Sequence, residues 1–294
     1  KLLKVMNKEL TIVFSSYQSQ HLLERLLKQL HKKFKIIIIE NSLDVNVKTK
    51  LERNYKGVKV IIPKSNLGLA KSYKLAIDKS KTKFVFLNNP DIEITNRSIE
   101  NLLTCAKKIK NFGIISPIYK DEKIYKNYEN YSVKNRNNSK IFRKFDIEEV
   151  DYIDNNFLIK NNKINRNLFD ENYFLYFETV DFATNLKKLG RKIYVAKKIK
   201  FHHLGSSSLS SKYNNLVKKT RSFHYNWGKF YYYKKNYNYF YGIKKIYPNF
   251  IKSIKKSIIF LLTLDFNNLK LSLLEILGIL TAVSGIASFY RPKN

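Results

Sequence analysis

A chain of 294 residues with 44% hydrophobic and 27% charged side chains can bury a sizeable core, which excludes wholesale disorder. Its 56 Lys and Arg against 23 Asp and Glu give a formal net charge of +33. Part of that excess follows the Lys- and Asn-rich usage of an AT-rich genome; the rest implies a polyanionic partner such as nucleic acid, anionic lipid or a phosphorylated substrate. The single cysteine, Cys105, excludes an intramolecular disulfide and any multi-cysteine zinc site.

Strand-like and helix-like stretches alternate from the start. Leu10–Phe14 is a short apolar run, followed by Leu22, Leu23, Leu26, Leu27 and Leu30 at helical spacing. Ile36–Ile39 is β-branched and uninterrupted, as in a strand buried on both faces. Val58–Ile62 predicts a third strand, Leu69–Ile77 a helix and Phe84–Leu87 a fourth strand. Ile99–Ile109 follows as an amphipathic helix in which Cys105 reads as a small core residue. This alternation predicts an α/β fold on a mostly parallel sheet, whose ligands bind beyond the carboxyl ends of the strands.

Tyr119–Asp146 is polar, rich in Lys, Asn and Tyr, and reads as an irregular excursion. Order resumes at Val150–Lys160 and runs to about Ser208. Residues 216–294 hold 14 Lys and Arg against two acids, Asp265 and Glu275, a net +12, with aromatic clusters such as FYYYKKNYNYFYG. The expected division is a domain over 1–215 and a basic, aromatic-rich helical extension over 216–294.

Three polar clusters follow the strands: Glu40 and Asn41, then Asn66 and Gly68, then Asn89 and Asp91. Asn, Gly, Pro and Asp end strands for ordinary turn reasons. Three clusters in succession on one sheet edge nevertheless point to a ligand. The second half carries a denser signal, FDENYFLYFETVDFATNLKKLG, over Phe169–Gly190. Glu178 and Asp181 share a helix face there, Phe182, Leu186 and Leu189 supply the apolar stripe, and Gly190 is a C-cap. Carboxylates that open a helix also answer its dipole, but the aromatic flank Tyr173, Phe174, Tyr176 and Phe177 suits Glu178 to general-base work. His202 and His203 follow a strand-like stretch and offer an imidazole to a metal or phosphate.

In this order SSYQ, ENSLD, SNLGLAKSYKLAI, FVFLNNPDIEI, GIISP, the Phe169–Gly190 string and HHLGSSS resemble the family 2 glycosyltransferases of GT-A fold. Within that family they look most like the bacterial rhamnosyltransferase-like branch. The resemblance covers roughly residues 9–210 and implies a nucleotide-binding α/β core that moves a sugar, rhamnose first, from a UDP- or dTDP-sugar to a glycan or lipid-linked acceptor with inversion. It implies that Ser16, Tyr17, Glu40, Asn41, Asn66, Gly68 and Asn89 bind the nucleotide, with Glu40 where Asp is usual. Asp91 and His203 would contact Mg²⁺ or Mn²⁺, hard cations suited to carboxylate and diphosphate oxygens. Glu178 and Asp181 would carry catalysis, Glu178 foremost, while Thr179 stands where relatives often have Asp. That departure leaves a second reading, a degenerate scaffold that binds sugar nucleotide without turning it over.

The longest uncharged apolar stretch, Ile276–Tyr290, is shorter than the ~20 residues of a spanning helix. Lys244, Lys245, Lys252, Lys255 and Lys256 interleave with Ile and Phe, as in a helix lying among lipid head groups. With no secretory signal legible at the start, the expected location is cytoplasmic, peripheral on the inner face of the cell membrane. The alternative is that these helices pack on the core or form a dimer contact. A nucleic-acid partner is not expected, since no helix-turn-helix, zinc knuckle or aromatic RNP pattern appears. A sugar-nucleotide pyrophosphorylase would need a Gly-rich, Arg-containing loop near the first strand, which SSYQSQ does not provide.

Overall fold

The four apolar runs of the first part become neighbouring strands. A computed structural model describes residues 9–120, 126–131, 139–162, 167–204 and 214–291. The chain begins β1 (Leu10–Ser16), α1 (Gln20–Leu30), β2 (Lys35–Glu40), α2 (Val45–Asn54), β3 (Val58–Ile61), α3 (Gly68–Lys79) and β4 (Phe84–Asn88). It continues through β5 (Ile92–Glu93), α4 (Asn96–Lys108), β6 (Phe112–Tyr119), β7 (Tyr128–Glu129), α5 (Lys140–Phe145), β8 (Ile147–Glu149), β9 (Tyr152–Ile153) and β10 (Phe157–Lys160). The remainder comprises α6 (Glu178–Lys188), β11 (Lys192–His203), α7 (Asn214–Asn236), α8 (Tyr239–Leu262) and α9 (Phe266–Val283).

Two compact units emerge. The first comprises residues 1–67, 71–169 and 179–208; the second takes 68–70, 170–178 and 209–294. Two short segments from earlier in the chain, including Gly68 and Glu178, belong with the helices.

In the first unit the sheet order is β3-β2-β1-β4-β10-β6-β11-β5, with β8 also on β11. β1, β2, β3 and β4 are mutually parallel where paired, β6 and β11 are parallel, and β10 runs antiparallel between β4 and β6. Ile36–Ile39 are buried on alternate faces, as their unbroken β-branched run requires. Each such side chain contributes about 1.5–3 kcal/mol on burial. The helix entries are written locally: Thr95 and Ser98 form a reciprocal capping box on α4, and Asp44 accepts from the Asn46 N–H on α2. Cys105 is buried in the core, and burial pushes its thiol up to about 12, so it is no nucleophile.

The stretch read as irregular is partly ordered. β7 pairs antiparallel with β9, and α5 buries Phe142 and Phe145. A two-residue strand and a six-residue helix are too short for periodicity to reveal.

In the second unit α7, α8 and α9 are joined by short turns, so neighbours run antiparallel. Phe223, Trp227, Phe230, Ile246, Ile279 and Ala282 form their core. The apolar C-terminal helix starts earlier than Ile276, because Glu275 and Lys270 interrupt the run in sequence but not in helix. The 18 residues of Phe266–Val283, with mean hydropathy 1.4, are long and apolar enough to cross a bilayer by length and composition.

His224, 1% exposed on α7, clamps the segment after α9. Its Nε2–H donates to the Tyr290 carbonyl at 2.6 Å, and its Nδ1 accepts from the Ser288 hydroxyl at 2.8 Å, which defines the neutral tautomer. Burial, with the charge of Arg291 adding to it, pulls its pKa down from 6.5 to about 4. The contribution of this neutral imidazole is fully present above pH 6.5, the unfolded value. It is lost as pH falls toward 4, because the unfolded chain takes up a proton that the folded one refuses. The expected loss is about 3 kcal/mol. Urea titrations at pH 7 and pH 4.5, followed by the fluorescence of the single Trp, check it: His224→Gln should flatten the difference, and an unchanged difference would refute it.

Candidate functional site

The carboxyl ends of β1, β2 and β4 hold the first set of residues. Glu40, last in β2, is 1% exposed, and its Oε1 accepts from the Ser42 backbone N–H at 2.9 Å and from the Ser42 hydroxyl. The Ser16 side chain, last in β1, lies close enough to favour its charged form. Burial pushes this carboxyl above its ordinary range, and the hydrogen bonds oppose the shift by favouring the charged form.

Asn41 ties three elements together. Its backbone N–H donates to the Ser16 carbonyl at 2.8 Å, and its side-chain amide donates to Ser15 Oγ and Ser72 Oγ. Its Oδ1 accepts the Leu67 N–H at 2.9 Å. Asn41 thus holds the loop that carries Asn66 against the β1–β2 edge. Tyr17 and Asn66 are partly exposed, whereas Ser16, Glu40 and Asn41 are buried. The reach of Glu, one methylene beyond Asp, is taken up in bonding Ser42.

Beyond β4 the turn Asn88–Asp91 is built by side-chain amides. Asn88 Nδ2 donates to the carbonyls of Asn89 and Ile92, and Asn89 Oδ1 accepts from the buried Tyr73 hydroxyl at 3.0 Å. Then β5 pairs antiparallel with the end of β11, Ile92 opposite His203. The Leu204 N–H donates to the Asp91 carbonyl at 2.9 Å. This pairing places His203 Nε2 3.4 Å from Asp91 Oδ2, both side chains partly exposed. Tyr119, last in β6, stacks on the His203 ring with centroids 5.1 Å apart, and donates its hydroxyl to Asn155 Oδ1. Burial raises the Tyr119 phenol well above its ordinary pKa, and Asp91 and Asp154 add to the shift, so it acts as a donor. His202 faces Glu93 instead, at 2.9 Å. Gly205 and Ser206–Ser208 of the HHLGSSS string lie outside the described residues.

One carboxylate and one imidazole in contact are too few donors to hold an ion alone, and no group of three His, Cys, Asp or Glu occurs among the described residues. The pair fits a divalent cation that would draw its remaining ligands from a bound anion and water.

The second unit carries the segment leading to Glu178. Asp170 accepts from the Asn172 N–H, the Tyr231 hydroxyl and Lys235 Nζ at 2.9, 3.1 and 2.7 Å. Burial opposes its ionisation, but Lys235 and the other donors prevail and hold its pKa below the ordinary value. Phe174 lies under the Arg291 guanidinium, 4.0 Å from its ring centroid. The Phe174 carbonyl accepts the Leu69 N–H at 2.8 Å, and Gly68, at φ +70°, sits against that carbonyl. Tyr176 and Phe177 are consecutively left-handed, φ +69° and +68°. Each costs about 1–2 kcal/mol, strain of the kind held at functional loops by surrounding packing.

Glu178 then opens α6 at 4% exposure, followed by buried Thr179. Asp181, at 0%, accepts from Asn185 Nδ2 at 3.1 Å on the next turn. Phe182 and Leu186 are buried as the stripe predicts. Leu189 is not: the helix ends at Lys188 and Leu189 is 52% exposed beside left-handed Gly190.

Tyr73, Asn88, Ser72 and Tyr119 carry no motif that marks them individually in the sequence. Tyr119 had a usable signal, since it ends a strand on the same sheet edge; Ser72 and Tyr73 lie inside a helix whose buried face looks like ordinary core.

A family model described as glycosyl transferase family 2 matches residues 11–168. No curated protein sequence matches significantly. Among solved structures, GalNAc-T7 with UDP, GalNAc and Mn²⁺ is similar at TM-score 0.54 and 12% identity, over 78% of this chain and 51% of that one. S. aureus TarS is similar at TM-score 0.51 and 12% identity, over 91% and 55%. The chain thus spans about half the length of each, and at this identity the likeness concerns the fold: an α/β, GT-A-like mixed sheet, mostly parallel, with a helical C-terminal region.

Proposed function

The chain belongs to glycosyl transferase family 2, and on that premise we propose that it is an inverting, metal-assisted transferase acting on a nucleoside diphosphate sugar. The observation that carries this reading is the Asp91–His203 pair at the carboxyl edge of the sheet, 3.4 Å apart and partly exposed. A carboxylate beside an imidazole suits a diphosphate–cation complex better than a neutral ligand.

Asp91 and His203 would hold Mg²⁺ or Mn²⁺, which when bound neutralises charge on the departing nucleoside diphosphate. Ser16, Tyr17, Glu40, Asn41, Asn66 and Asn89 serve the nucleotide. Among them Tyr17, Asn66 and Asn89 are accessible enough for direct contact, while buried Glu40 and Asn41 shape the edge. Gly68 holds the turn that enters α3. Glu178 takes the proton of the acceptor hydroxyl as that oxygen attacks the anomeric carbon, and Asp181, bonded to Asn185 within α6, is the alternative base. The donor is a UDP- or dTDP-sugar, with rhamnose the first sugar to test. The acceptor is a surface glycan or its lipid-linked precursor, reached from the cytoplasmic face of the membrane.

Asp91→Asn is expected to lower metal-dependent release of UDP or dTDP by about 10²-fold or more. It should also abolish the effect of Mn²⁺ on nucleotide binding by calorimetry. Metal-enhanced binding in wild type without any release, even with a lipid extract as acceptor, would favour the degenerate scaffold that Thr179 suggests. Binding of no nucleotide sugar would sink the proposal.

A further inference from the structure

α8 and α9 form a helical hairpin whose turn exposes a dense apolar cluster. Ile258, Ile259, Leu261, Leu262, Leu264 and Phe266 fall within nine residues and are between 53% and 78% exposed. Soluble surfaces tolerate single exposed leucines but seldom a contiguous cluster of this size. Leu264 adds a second sign. It is left-handed, at φ +55°, where Gly or Asn would sit unstrained, so a turn required only to reverse the chain had no need of leucine there.

The charges behind the turn name the occupant. Lys252 and Lys255 on α8 and Lys270 on α9 are exposed. At the helical rise Lys255 lies about 10 Å behind Leu262, and Lys270 about 6 Å behind Phe266. An apolar element settled about 5–10 Å into the boundary between head groups and acyl chains would put those ammonium groups at the lipid phosphates. Asp265, the acid at the turn, is engaged as the α9 N-cap, accepting from the Asn268 N–H at 3.1 Å and its side-chain amide at 2.7 Å. A second copy fits poorly, because pairing two such turns would bring together two sets of lysines with no acid free to offset them.

Length and composition alone would let α9 span a bilayer, but its contacts oppose that. Glu275 is bonded to Lys256 and Ser253 of α8, Ser257 bonds Ser272, and Ile279 and Ala282 are buried in the core with Phe223 of α7. Threading α9 through lipid would break an ion pair and strip this core.

We propose that the α8–α9 turn is a membrane-insertion wedge: Ile258–Phe266 enters one leaflet of an anionic bilayer while Lys252, Lys255 and Lys270 contact lipid phosphates. This rests on the proposed function only for its purpose, bringing the protein to a lipid-linked acceptor, and is measurable without sugar transfer.

The test is co-sedimentation of the full chain with vesicles of phosphatidylcholine alone and of an equimolar phosphatidylcholine–phosphatidylglycerol mixture. The anionic vesicles should bind about tenfold or more tightly than the neutral ones. Leu262→Ser with Leu264→Ser, and separately Lys252→Glu with Lys255→Glu, should each weaken that binding about tenfold or more. Neither pair should alter circular dichroism or release of nucleotide from the donor. Undiminished vesicle binding by the serine pair would overturn the proposal, as would a wild type that ignores vesicles and forms a dimer dispersed by that pair. Vesicle binding without donor turnover would instead overturn the transferase reading and leave the wedge standing.

Discussion

Replacing Glu178 by Gln is expected to lower turnover about 10²–10⁴-fold and to leave donor affinity little changed. Gln keeps the shape and the helix-opening position but cannot take a proton, so the loss falls on kcat. The residue is buried at 4% exposure, reached through two left-handed residues, and belongs to a segment anchored through Asp170 to Tyr231 and Lys235. That much local strain and anchoring is costly for a carboxylate whose only task is to answer a helix dipole. Asp181→Asn is the discriminating partner: Asp181 is fully buried and accepts from Asn185, so its replacement should lower the unfolding midpoint more than the single-turnover rate. A Glu178→Gln enzyme of normal rate beside an inactive, folded Asp181→Asn would move the base to Asp181.

The second large effect is expected at Gly68→Ala. A Cβ there would lie 2.2 Å from the Phe174 carbonyl oxygen and 2.6 Å from its Cδ2, at a φ of +70°. The left-handed backbone alone costs about 1–2 kcal/mol, and forced displacement of packed atoms adds about 1–3. The loop cannot retreat freely, because the same carbonyl accepts the Leu69 N–H at 2.8 Å. Displacement of Phe174 propagates along the four residues to Glu178, so turnover should fall by more than the unfolded fraction explains. Gly190→Ala is the control: it has φ +69° with nothing within 4 Å, and should show the conformational cost without loss of turnover per folded molecule. Equal effects on stability and turnover in the two variants would mean that the Gly68–Phe174 contact has no bearing on the site.

By itself the sequence determined the α/β core, because Ile36–Ile39, Phe84–Leu87 and the leucines of α1 write their burial into local periodicity. It also determined the sheet edge at which Glu40, Asn66 and Asp91 emerge, since a parallel strand's polar residues must follow its apolar run, and it placed the basic tail as helices. Tertiary structure alone decided what lies far apart in the chain. The antiparallel pairing of β5 with β11 brings Asp91 to His203, and Tyr119 arrives from β6 to stack on that imidazole. It decided that Gly68 and Glu178 group with the C-terminal helices, through hydrogen bonds between segments about a hundred residues apart. It decided too that Leu189 and the α8–α9 turn face outward, because helical spacing marks a stripe as apolar without saying where the helix ends or which apolar residues find a partner. Periodicity is a property of neighbours along the chain; burial, strain and contact between strangers are properties of the closed fold.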